Sequence, residues 1–150
     1  MNLAPKAIGS TQFDLYIPAE PGVVHNTLRN VRQSLRRQGH RAGEAFSWEL
    51  ALAEAMNNVV EHAYSGPEKG DIRLTLSFTP TELLARFTDT GRAMPRGCVP
   101  DPAEIDLDVP TEQLPEGGFG WSMIHALSRE VTYRRIKGVN YLNLRISLDE

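Results

Sequence analysis

Between Thr11 and Ile17 the apolar residues Phe13, Leu15 and Ile17 alternate with polar ones, the period-two pattern of a half-buried strand. Pro18 and the pair Pro21–Gly22 close that segment. The period then lengthens. Val24, Leu28, Val31 and Leu35 recur every three or four residues and predict a helix from about Val23 to Gln38. A second helix is expected from about Ser47 to Tyr64, with Ser47 as N-cap, Glu49 in the first turn and Gly66–Pro67 as the stop. Two strands follow, the first carrying Ile72, Leu74, Leu76 and Phe78 and the second Leu83, Ala85 and Phe87. Thr79–Pro80–Thr81 joins them as a hairpin.

From Gly91 to Gly118 the periodicity collapses. That stretch holds Pro95, Pro100, Pro102, Pro110 and Pro115 among the acids Asp101, Glu104, Asp106 and Asp108. A long aperiodic segment inside a compact domain is either disordered or a functional lid. Order returns with a helix expected over Phe119 to Ser128 and two closing strands, the last alternating Leu142, Leu144, Ile146 and Leu148 with polar residues. The order strand, two helices, two strands, lid, helix, two strands predicts an α+β fold in one domain spanning residues 1–150. We expect a two-layer α/β sandwich whose mixed, mainly antiparallel sheet carries helices on one face. The regular βαβ alternation of a parallel dinucleotide-binding fold is missing.

Composition narrows the function classes. A formal charge of −3 argues against sequence-independent nucleic-acid binding. The first residues do not read as a signal peptide and no apolar run reaches the length of a membrane span, so a soluble cytoplasmic protein is expected. Cys98 is the single cysteine, which leaves no internal disulfide and no zinc cluster. On the first helix Arg29, Arg32, Arg36 and Arg37 fall mainly between the apolar positions. A solvated helix face is the simpler reading of these arginines, and a docking surface for an acidic partner the sharper one.

Three features carry chemistry. On the second helix Glu54, Asn58 and His62 follow one another at intervals of four, so a carboxylate, an amide and an imidazole stack along an otherwise apolar helix. An asparagine carbonyl is a hard ligand suited to magnesium, which binds phosphate oxygens beside few protein groups. A carboxylate one turn away can orient or deprotonate an attacking hydroxyl. At the end of a strand, Asp89 in Asp89–Thr90–Gly91 can accept a hydrogen bond from an exocyclic amine such as that of adenine. Gly91 there allows close approach to a flat ring or positive φ. Finally Gly117–Gly118–Phe119–Gly120 opens a helix, where bare backbone N–H groups suit a phosphate. It is neither a Walker loop nor a Gly-x-Gly-x-x-Gly fingerprint.

In this order, over roughly Phe13 to Leu148, the chain resembles the GHKL ATPase superfamily, and within it the small anti-sigma-factor serine kinases of bacterial partner-switching systems. The resemblance implies a histidine-kinase-like ATPase fold with an ATP lid at about residues 92–117, binding ATP and Mg2+. It makes Glu54 the general base and Asn58 the magnesium ligand, with His62 and Tyr64 near the phosphates. Asp89 and Gly91 become the adenine-binding pair, Met94 packs on the adenine ring, and Gly118, Phe119 and Gly120 lie beside the phosphates. The family's Asp-x-Gly-x-Gly has Ala93 in place of its second glycine. The implied activity is protein serine/threonine kinase. The implied partners are a sigma factor or equivalent regulator and a STAS-type anti-sigma-factor antagonist, with a homodimer expected and no contact with nucleic acid or membrane. The alternative is a nucleotide-binding regulatory module without kinase activity.

Overall fold

The computed structural model describes residues 11–64, 70–100 and 118–148. Strand β1 (Thr11–Pro18) leads into helix α1 (Pro21–Arg37), a 3-10 turn (Arg41–Glu44) and helix α2 (Ser47–Ala63). The hairpin β2 (Asp71–Phe78) and β3 (Glu82–Asp89) follows, then a second 3-10 turn (Pro95–Gly97), helix α3 (Gly118–Leu127) and the hairpin β4 (Glu130–Ile136) and β5 (Val139–Ser147). The sheet order is β1-β2-β3-β5-β4. All four pairings are antiparallel, so the mixed sheet expected from the sequence is purely antiparallel among the described residues.

Each strand sends alternate residues inward, as the sequence pattern requires. One cross-strand row runs Leu15, Leu74, Phe87, Leu142 and Tyr133, and it lies under the helical layer. Above it the apolar face of α2 is buried at Trp48, Leu52, Ala55, Met56 and Val59. The Trp48 indole meets Phe78 edge-on at 5.1 Å, and its Nε1–H donates to the Ala42 carbonyl at 2.9 Å. One aromatic thus fills the core while its polar edge is satisfied. Helix α1 buries Val24, Leu28, Val31 and Leu35, the residues that predicted it.

Two boundary expectations change. Pro21 does not close the first segment but opens α1 at its first turn, where a missing N–H costs nothing. Ser47 is the first residue inside α2 rather than its cap. Phe46 holds the cap position without a side-chain bond, and its carbonyl accepts the Leu50 amide.

Among the described residues two of the four α1 arginines have partners. Arg32 donates to Glu49 at 2.8 Å and lies 4.5 Å above the Phe46 ring, and Arg36 pairs with Glu44 at 3.2 Å. Among the described residues no helix is long and apolar enough to cross a membrane.

Candidate functional site

The buried face of α2 clamps the helix against the sheet and fixes where its polar stripe points. Asn58 is 2% exposed, and among the described residues its Nδ2 finds no hydrogen-bond partner. A buried amide left unpaired costs roughly 1–3 kcal/mol, so its presence in a packed core calls for a ligand or a functional reason. Among the described residues only three polar or charged side chains are buried: Asn58, Asp89 and Asn140. All three line a single cavity, together with His62, Met94 and Tyr133.

At the other side of Asn58 the first turn of α3 comes in close. A Cβ on Gly120 would stand 2.8 Å from Glu54 Oε2 and 3.6 Å from each amide atom of Asn58. Gly118 and Phe119 belong to the same turn, whose leading N–H groups have no acceptor within the helix. The structure therefore brings Glu54, Asn58 and Gly120 together at one end and Asn58, His62, Asp89 and Met94 at the other. Asn58 is the junction.

Asp89 ends β3, 5% exposed. Its Oδ1 accepts from the Gly91 amide at 2.9 Å and from Asn140 Nδ2 at 2.8 Å. Among the described residues both bonds fall on Oδ1, which leaves Oδ2 free to accept from a ligand N–H. Burial pushes the carboxyl above the ordinary aspartate range. The bonds from Asn140 and Gly91 and the nearby Arg135 charge pull back without cancelling that rise.

Gly91 has a different reason to be glycine from the one expected. Its φ is not positive, and what presses on it is α2. A Cβ there would lie 2.3 Å from the Ala63 carbonyl oxygen, which also accepts the Arg92 amide at 3.0 Å. Tyr64, expected near the phosphates, is instead buried beneath the end of β3. Its hydroxyl donates to the Asp71 carbonyl and accepts from the Thr90 amide, each at 3.2 Å. It pins the Asp89–Gly91 corner rather than facing a ligand.

The cavity beside Asp89 measures about 20 Å³, far smaller than the roughly 300–1,000 Å³ of a typical ligand pocket. A purine enters only when a wall yields. Met94, half-buried on an unbranched and flexible side chain, is the wall most able to do so. Of the expected lid at residues 92–117, positions 101–117 lie outside the described residues. The described part is tied to α3 by a 2.7 Å contact between His125 Nε2 and the Pro100 carbonyl.

The donor set fits ATP with magnesium. Asn58 offers a buried amide without a full set of partners, Asp89 a free carboxylate oxygen at one end, and Gly120 a backbone stripped of side chain beside Asn58 and Glu54 at the other. Among the described residues no group of three or more His, Cys, Asp or Glu side chains could hold a metal by itself. Magnesium bound mainly through phosphate oxygens needs no such cage.

Sequence reasoning missed Asn140, Tyr133 and Arg135. The β4–β5 hairpin turns on Lys137 and Gly138, both at positive φ, and its register places Arg135 opposite Asn140. One signal was available. Asn140 occupies the inward phase of Leu142, Leu144 and Ile146, where a polar residue is out of place.

Comparison with known proteins places these residues in context. The family described as histidine kinase-like ATPase domain matches residues 17–146. The serine-protein kinase RsbW of Bacillus velezensis is 30% identical over 144 residues, covering 87% of this chain and 86% of the relative. RsbW of Oceanobacillus iheyensis is 28% identical over 131 residues, with 85% and 81% covered. The serine/threonine-protein kinase BtrW of Bordetella bronchiseptica is 31% identical over 100 residues, with 66% and 68% covered.

Proposed function

The chain belongs to the histidine kinase-like ATPase domain family, and from that premise we propose that it is an ATP-dependent serine/threonine protein kinase. The observation that carries the reading is the convergence of three buried polar side chains on one cavity, with Glu54 against Gly120 beside it. Asp89 Oδ2 takes the exocyclic amine of adenine, Met94 covers the ring, and His62 lines the same pocket. The first turn of α3, Gly118 to Gly120, lies beside the phosphates, where its N–H groups stabilise negative charge.

Asn58 Oδ1 would hold the magnesium ion, whose charge offsets that of the phosphates when it is bound. Glu54 Oε2 accepts the proton of a serine or threonine hydroxyl. The hydroxyl oxygen bonds to the γ-phosphorus as the bond to the ADP oxygen breaks. Placement and electrostatics supply most of the rate, since phosphoryl transfer asks little covalent chemistry of the protein.

The similarity to RsbW, named a serine-protein kinase, supports a protein substrate. The substrate we propose is a STAS-type anti-sigma-factor antagonist, and the regulated partner a sigma factor or equivalent regulator held by a homodimer in the cytoplasm. The deciding experiment is transfer of labelled γ-phosphate to the cognate antagonist in the presence of magnesium. Transfer by the native chain but not by a Glu54→Gln variant is expected, and transfer that survives unchanged in the variant removes Glu54 from the mechanism. The second reading is a regulatory module that binds nucleotide without turning it over. ATP binding with no phosphorylated product on any antagonist would select that reading.

A further inference from the structure

Asn140 is a hub between three elements. Its Nδ2 donates to Asp89 Oδ1 at 2.8 Å and to the Arg92 carbonyl at 2.8 Å, while its Oδ1 accepts from the Tyr133 hydroxyl and from Arg135 at 2.8 Å. Tyr133 in turn accepts the Met94 amide at 2.9 Å, and Arg135 also donates to the Gly91 carbonyl at 2.9 Å. Both hydrogen-bonding ends of the Asn140 amide are therefore used, in contrast to Asn58, whose Nδ2 is unpartnered.

From this geometry we infer that Asn140 and Tyr133 are positioning residues for purine recognition, fixing the edge-reading carboxylate of Asp89 and the backbone of Met94 in one frame. The inference deepens the ATP-binding reading and rests on it. Asp89 has two equivalent oxygens and a rotatable carboxylate. By donating to Oδ1, Asn140 fixes the plane of the carboxylate and leaves Oδ2 as the oxygen that meets the ligand. The amide is suited to this because it donates to a carboxylate and accepts from a phenol and a guanidinium at once, without titrating. Tyr133 does the corresponding work for the second wall. With the Met94 backbone held by the phenol, its side chain can swing aside to admit a ring while its α carbon stays in place. The two residues reach the site because the two-residue turn at Lys137–Gly138 returns β5 beside β4 in a fixed register, putting both on the cavity side.

Nucleotide affinity, measured by titration calorimetry with Mg–ATP between pH 6 and 8, tests the inference on the full chain. Tyr133→Phe removes one oxygen and leaves the ring, so the fold persists while the Met94 amide loses its acceptor. The bond to Asn140 Oδ1 goes with it, and a roughly five- to tenfold rise in Kd is expected as the Met94 frame loosens.

Asn140→Asp sets a second carboxylate against Asp89, with Arg135, Tyr133, His62 and Arg92 as the other titratable or charged groups around the pair. Two such carboxylates share a proton until pH rises. Affinity of Asn140→Asp is therefore expected to weaken as pH climbs from 6 to 8, whereas the native chain stays flat. A purely structural role would leave binding by the variant as flat over this range as that of the native chain. If the native chain binds and both variants match its affinity and pH profile, the inference is wrong and the ATP reading stands. If the native chain binds no adenine nucleotide, both fall. Should Asn140→Asp fail to fold, Tyr133→Phe decides alone.

Discussion

The α carbon of Gly120 faces the carboxylate of Glu54 so closely that a methyl group in place of its hydrogen would stand 2.8 Å from Oε2. The clash falls on the far end of a flexible side chain and not on backbone, so Gly120→Ala should fold normally while Glu54 is pushed aside. Misplacing a catalytic group by about 1 Å can cost on the order of a hundredfold in rate. We expect phosphotransfer to fall by a factor of that order with melting temperature almost unchanged, measured on the same preparation.

Removing only the proton-accepting ability of the same residue isolates its chemistry. In Glu54→Gln the shape and hydrogen bonding persist, so Mg–ATP affinity should hold while kcat falls by roughly 10²- to 10⁴-fold, the usual worth of general-base catalysis. Equal losses in affinity and turnover would point instead to a binding role.

Asn58 offers a test in which stability and binding part company. Its buried Nδ2 has no partner to lose, so Asn58→Ala should shift the melting point of the ligand-free chain little. The rise in melting temperature on adding Mg–ATP, a direct reflection of ligand binding to the folded state, should disappear. A normal ligand-induced rise in this variant would exclude Asn58 from the metal site.

Asp89 makes the pH behaviour specific. Its folded value is raised by burial, so the carboxyl contributes stability at pH below the ordinary aspartate range and loses that contribution as pH rises through the raised value. At neutral pH the buried charge is a cost. Asp89→Asn should therefore leave the ligand-free chain as stable or more so. It should weaken ATP binding about 10- to 100-fold, the worth of a hydrogen bond to a charged group. Native binding should decline as pH falls toward the raised value, and the variant should not follow.

The core sets the background against which such changes are judged. Trp48 is fully buried, donates to the Ala42 carbonyl and stacks edge-on with Phe78. Trp48→Ala should cost about 3–5 kcal/mol, visible as a large drop in urea midpoint with no effect confined to nucleotide.

Much of this architecture was written in periodicity. Leu28 and Leu35 announced α1, and Ile72, Leu74 and Leu76 announced β2, because burial on one face repeats with the geometry of the element. The stripe Glu54–Asn58–His62 was legible for the same reason, since helix geometry turns sequence spacing into spatial alignment. What resisted reading was contact between elements distant in sequence. Gly91 looked like a residue for a ring or a turn, but its constraint is Ala63, a carbonyl on another element. Tyr64 continued a ligand-facing motif, but its hydroxyl is occupied by Asp71 and Thr90. Asn140 lies 51 positions beyond Asp89, and only the antiparallel pairing of β3 with β5 sets the two opposite one another. The sheet's strand order belongs to the same class, because alternation predicts strands but does not name their neighbours.

The bond from the Arg92 amide to the Ala63 carbonyl couples the far tip of α2 to the chain leaving β3. Tugging on residue 92 therefore strains the same rod that holds Asn58 and Glu54. Amide exchange at Arg92 thus reports on the far tip of α2, and a ligand that steadies Asn58 should slow it.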